Sequence, residues 1–237
     1  MIALAAWLLL PPPWPVASLA APAVPRTAAW RAPSPFQADE EAARLVAGLA
    51  DRGLHAEVVR EAREFLLRHA ASPRAEAVRY RLAEALFQLG RHGEARAEFG
   101  ALAKSPGFEL AGEVQYRLGE CALALGDTKG AIDSLRRAAQ GPATYLHSPA
   151  RFLLAEALFD SGEPGQARAA YLELLERDDT EEFEADARYA LVWCAKDLRA
   201  PDEILERTEQ FSRAHPDDPR RAELACLLYT SPSPRDS

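Results

Sequence analysis

Four aromatic residues, Tyr80, Tyr116, Phe152 and Tyr189, recur at near-constant spacing, and each has a companion four residues on: Glu84, Glu120, Glu156 and Trp193. A separation of four puts both columns on one helix face. Stacked rings flanked by carboxylates can grip a peptide carrying apolar and basic side chains. Two plainer roles compete with that one. The rings can pack between helices, and the carboxylates can be solvated or pair with Arg81 and Arg117.

Nothing else in the chain is arranged for chemistry. His55, His69, His92, His147 and His215 have no His or Cys partner at metal-ligand spacing, and each falls near a predicted turn or helix end. Cys121 and Cys194 occupy a slot that Ala85 and Ala157 fill elsewhere, so they read as small packing residues. Two repeats apart, they are beyond disulfide reach. No G-x-S-x-G, H-E-x-x-H, P-loop or G-x-G-x-x-G sequence occurs. The expectation is therefore a chain without catalytic residues, metal or cofactor.

The elements that carry the two columns are set by a repeat. Leu82, Leu118 and Leu154 are 36 residues apart, and Gly90, Gly126 and Gly162 keep the same spacing, as do Ala95, Ala131 and Ala167. Leu45, Leu49, Gly53, Val58, Ala62 and Phe65 fit the same slots one unit earlier. Leu191, Ala195, Ile204 and Phe211 fit one unit later, with Arg199 where the glycine stood. Apolar spacing predicts paired helices at roughly 38–52/55–69, 75–89/93–104, 113–125/128–139, 150–161/164–176 and 183–198/202–214. The glycines suit left-handed helix ends. Ser72-Pro73, Ser148-Pro149 and Asp218-Pro219 read as a cap followed by a first-turn proline. No alternating β-branched run appears, so the fold class is all-α, a right-handed superhelical solenoid of helix-turn-helix repeats.

These slots, over about residues 38–225, resemble the tetratricopeptide repeat family. The resemblance implies a protein–protein interaction scaffold that binds a protein or peptide in a concave groove lined by the first helix of each repeat. Two features depart from the family pattern. The repeats run to 36–37 residues where 34 is typical, and Arg79, Gln115 and Arg151 stand where the family opens with a large aromatic. The stretch FLLRHAASPRAEAVRYRLAEALFQLG, residues 65–90, is similar to the bacterial cell-envelope subgroup, which includes the periplasmic Tol-Pal coordinator and an outer-membrane assembly lipoprotein. The alternative is the non-catalytic helical region of a larger envelope enzyme, such as a lytic transglycosylase, and a purely structural oligomerisation module is a third reading.

Composition bounds the partners. At 48% hydrophobic and 27% charged, most of the 237 residues can join a packed core. A net charge of −8 without a basic stripe argues against nucleic acid. Residues 1–10, MIALAAWLLL, are too few to span a bilayer as a helix but resemble the apolar part of an export signal, with Ser18-Leu19-Ala20 as cleavage site. Residues 1–20 are thus expected to be a signal peptide, although no Lys or Arg precedes Arg26, and the protein periplasmic or secreted. Residues 21–37 read as a Pro/Ala-rich linker. Residues 226–236, CLLYTSPSPRD, resemble a translated sequencing adapter. That stretch is expected to stay outside the helical stack, with the natural chain continuing past Ala225.

Overall fold

Eleven helices occupy the residues described by the computed structural model, which are 35–141, 146–177 and 181–230; none of them forms a strand. Five successive pairs are α1 Pro35–Asp51 with α2 His55–Arg68, α3 Ala75–Gln88 with α4 His92–Leu102, α5 Ala111–Ala124 with α6 Thr128–Gln140, α7 His147–Asp160 with α8 Pro164–Leu175, and α9 Glu184–Asp197 with α10 Pro201–Ala214. The final helix, α11 Arg221–Thr230, opens a sixth unit. Each helix packs on its pair-mate, and each second helix packs on the first helix of the next pair, as a helical solenoid requires. The expected export signal and most of the expected linker, up to residue 34, lie outside the described residues, as does the tail from residue 231.

The turns explain the pairing. Gly90, Gly126 and Gly162 have φ of 72°, 72° and 78°, a left-handed step that ends each first helix and reverses the chain at little steric cost. In the fifth repeat Arg199 takes the same step at φ 56°, without a glycine to ease it. Below the turns lies the packing column Phe65, Phe99, Leu135, Tyr171 and Phe211, each 2% exposed or less. Ala95, Ala131 and Ala167 beside it are fully buried. Successive units share apolar clusters, so no repeat buries its own face alone.

Four expectations need correction. Helix α1 starts at Pro35, so the linker does not run to residue 37. Within α1 the core position is Val46, fully buried, while Leu45 is 51% exposed; the 37-residue spacing at that junction shifts the register by one. Ser72 and Asp218 do not cap helices. They sit two residues before Arg74, the N-cap of α3, and Arg220, the residue preceding α11, and close local turns by accepting from those residues' backbone N–H at 3.2 and 2.9 Å, while Ser148 lies inside α7. The side-chain cap found among α2–α10 is Asp127, which accepts from the Gly130 N–H at 2.9 Å. Lastly, α11 runs on through Cys226 to Thr230. Leu224 is fully buried, and Leu227 and Leu228 pack on the same cluster, because spacings of three and four continue one apolar stripe past Ala225.

Candidate functional site

The two predicted columns do share the face of the first helices, but the rings are held rather than free. Tyr116 is 9% exposed and sits within the central cluster. Burial, then the charge of Glu120, pushes its phenol up to about 12. Tyr80 is half-buried, edge-on to Phe99 and tilted against Phe108, with its hydroxyl donating to Glu113 at 3.2 Å. Phe152 stacks on Phe183 at 5.0 Å between centroids. Tyr189 packs against Phe211 and Trp193, and its hydroxyl donates to Glu223 at 2.8 Å. Each ring is therefore engaged by side chains around it.

The carboxylates divide by partner. Arg117 is the hub of the second and third repeats. Its Nε and Nη2 reach Glu84 at 2.8 and 3.4 Å, and its Nη1 donates to Glu120 at 2.7 Å. Its guanidinium also lies 5.4 Å from the Phe87 ring centre and 5.8 Å from that of Tyr116. Burial raises the Glu84 carboxyl above the usual carboxylate range, and Arg117 pulls it part of the way back. Glu156 instead accepts from the Tyr171 hydroxyl, so it serves the core and not the open face. Trp193, in the carboxylate slot of the fifth repeat, has the Lys196 ammonium 4.3 Å above its ring.

Between α3 and α5 this face opens into a cleft of about 790 Å3. Tyr80, Glu84, Glu113 and Arg117 line one part of it, Arg74, Glu76 and Arg81 another, and Gly107, Phe108, Glu109 and Leu110 form a wall. That wall is the connection from α4 to α5, residues 103–110. It accommodates chain length beyond the 34-residue unit and sets Phe108 against Tyr80. Tyr80 and Glu84 are the predicted residues brought into this cleft. Tyr116, Glu120, Phe152, Glu156, Tyr189 and Trp193 do not line it. Periodicity could not reveal Phe108 or Glu109, since the connection is not part of the helical repeat, and Glu113, in the first turn of α5, has Ala77 and Pro149 in its slot; the extra residues per unit were the available signal.

The remaining candidates resolve simply. Cys121 and Cys194 are fully buried free thiols, raised by burial to about 11 and 12, which matches a packing role. Among the described residues no group of three His, Cys, Asp or Glu side chains could hold a metal ion. No helix there is long and apolar enough to cross a membrane.

Comparison with known proteins agrees with this fold. Two tetratricopeptide repeat profiles match, one over residues 40–109 and 80–144 and the other over 122–185, together more than half of the chain. Comparison with curated protein sequences gives no match. Among solved structures, YrrB, described as a tetratricopeptide repeat protein with an unusual peptide-binding site, is similar with a TM-score of 0.65 at 19% identity, over 83% of this chain and 98% of that one. A tetratricopeptide repeat protein from Parabacteroides merdae gives 0.65 at 17% identity, over 81% and 74%. The MamA protein gives 0.61 at 17% identity, over 78% and 96%. At such identities the likeness is one of fold.

Proposed function

The chain belongs to the tetratricopeptide repeat family, and from that premise we propose that it is an interaction scaffold of the bacterial cell envelope that binds a protein or peptide segment along its first helices. The observation that carries this reading is the cleft between α3 and α5, where aromatic rings and charged groups meet in one open cavity of about 790 Å3. Its walls come from two repeats and a connection, so a bound segment contacts a surface that the packing already holds in place. YrrB, of the same fold, has a peptide-binding site by description, which supports a peptide as the ligand here. Export is supported by the apolar run at residues 1–10 and by the similarity of residues 65–90 to envelope proteins.

The binding test is a screen of the full chain against a displayed library of random peptides, followed by hydrogen exchange on the best binder. Slowed exchange in α3, α5 and residues 103–110 is the expected result. Protection confined to the second helices of the repeats would sink the cleft reading. For export, the native leader should carry the protein to the periplasm, with a new N-terminus after Ala20. Protein that keeps Met1 and stays in the cytoplasm would retire that part.

A further inference from the structure

The cleft does not end at α3. A second cavity of about 210 Å3 lies between α1 and α3, and the two share Arg74 at the N-terminus of α3 and Ala77 and Arg81 on it. Helix α3 is thus a ridge between two hollows of opposite charge. On its α1 side, Arg44, Arg74 and Arg81 surround one carboxylate, Glu40, which bonds to both Arg44 and Arg74. Arg81 is exposed and has no carboxylate partner among the described residues. On the α5 side Glu84 is taken up by Arg117, and among the described residues Glu113 accepts from the neutral Tyr80 hydroxyl and has no cationic partner. Glu109 stands exposed on the wall beside Phe108. After internal pairing, one hollow keeps positive charge and the other keeps negative charge.

Building on the peptide-binding reading above, we propose that this joined groove takes a segment of opposite charges. An acidic side chain would lie over α1 and α3, meeting Arg81 and Arg44. A basic side chain would enter the α3–α5 hollow, between the rings of Tyr80 and Phe108 and the carboxylates of Glu109 and Glu113. Packed helices lie about 10 Å apart and an extended chain advances about 3.3 Å per residue, so the two charges would stand about three residues apart. Charge complementarity of this kind fixes the register of a partner and rejects segments of a single sign.

The test uses the full chain and displayed random heptapeptides, with two charge changes at exposed positions, Arg81→Glu and Glu109→Lys. The wild-type protein should enrich peptides carrying one acidic and one basic residue about three positions apart. For a peptide so selected, each change should weaken binding by up to about fivefold, the range for exposed charge pairs. In a fresh selection Arg81→Glu should lose only the preference for the acid, and Glu109→Lys only the preference for the base. Enrichment of uncharged or single-sign peptides would overturn the polarity while leaving a peptide groove in place. Unchanged affinity in both variants would overturn it too, and the absence of any enriched peptide would retire the groove along with it.

Discussion

Tyr116 tests the two roles open to the aromatic column, because packing and ligand contact predict different losses. At 9% exposure within the central cluster, its replacement by Ala opens a cavity and should cost about 3–5 kcal/mol in chemical denaturation. A loss below about 1 kcal/mol would mean that the ring does not serve the core. Its phenol adds a pH signature of known sign. The folded value of about 12 lies above the ordinary value of 10, so the contribution to stability is complete below pH 10 and fades as pH rises through 12. Arg199 should respond in the opposite direction. It holds φ 56° where the other four repeats use glycine, and the left-handed conformation costs a residue with a Cβ about 1–2 kcal/mol. Arg199→Gly, offset in part by the freer unfolded chain, should raise the melting temperature; a fall would show that the side chain matters more than its backbone strain.

At the scale of helices, close approach is tuned by pairs of slots. A Cβ added at Gly119 would stand 2.5 Å from Leu135 Cγ and 2.6 Å from its Cδ2, and Leu135 is fully buried. The helix propensity gained by Gly119→Ala, about 1 kcal/mol, should be outweighed by overpacking worth about 1–3 kcal/mol. Gly100→Ala in α4 is the control, since nothing lies within 4 Å of its added methyl, and it should stabilise. If both changes stabilise, the α5–α6 contact is looser than its geometry implies. The first turn of α6 depends on Asp127. Its carboxyl is held below the usual range by the Gly130 N–H, then by Arg96. Asp127→Ala should lower the melting temperature more than Asp127→Asn, because an amide still caps.

Across the whole molecule, links one repeat apart join neighbouring units on both helix layers. Arg63–Glu94 joins α2 to α4, Arg168–Glu203 joins α8 to α10, and Arg117–Glu84 and Tyr80–Glu113 join α5 to α3. A chain of this kind has stability that is roughly a sum of repeat and neighbour contributions, so damage should stay local. Leu224 on α11 is fully buried against Val192 and Phe211. Leu224→Ala should cost about 2–5 kcal/mol, with faster amide exchange in α9–α11 and little change in α1–α4. A uniform rise over all repeats would instead indicate one cooperative unit. Acid should weaken the array: Asp218, drawn down to about 2 by Arg220, supports folding above its ordinary value of 3.8 and loses that support as pH falls through 2. Glu84, raised by burial, has the opposite sign and relieves part of this loss as it protonates.

Periodicity alone determined the solenoid, because the slots of Leu82, Ala95 and Phe99 are local demands that each repeat makes on its own helices. It also placed the left-handed turns at Gly90, Gly126 and Gly162, where backbone sterics select the residue. Two kinds of detail waited for the tertiary structure. Register within α1, where Val46 and not Leu45 enters the core, depends on how that helix meets α2 and α3. The aromatic column had two possible uses, and only the folded chain shows what surrounds it: Tyr80 meets Phe99 of its own repeat, Phe108 of the following connection and Glu113 of the next repeat, and Phe152 meets Phe183. The cleft itself is built from α3, α5 and the connection 103–110, and only packing brings these together. A repeat pattern reports which face a side chain occupies. Whether that face stays open depends on the partners that fold onto it.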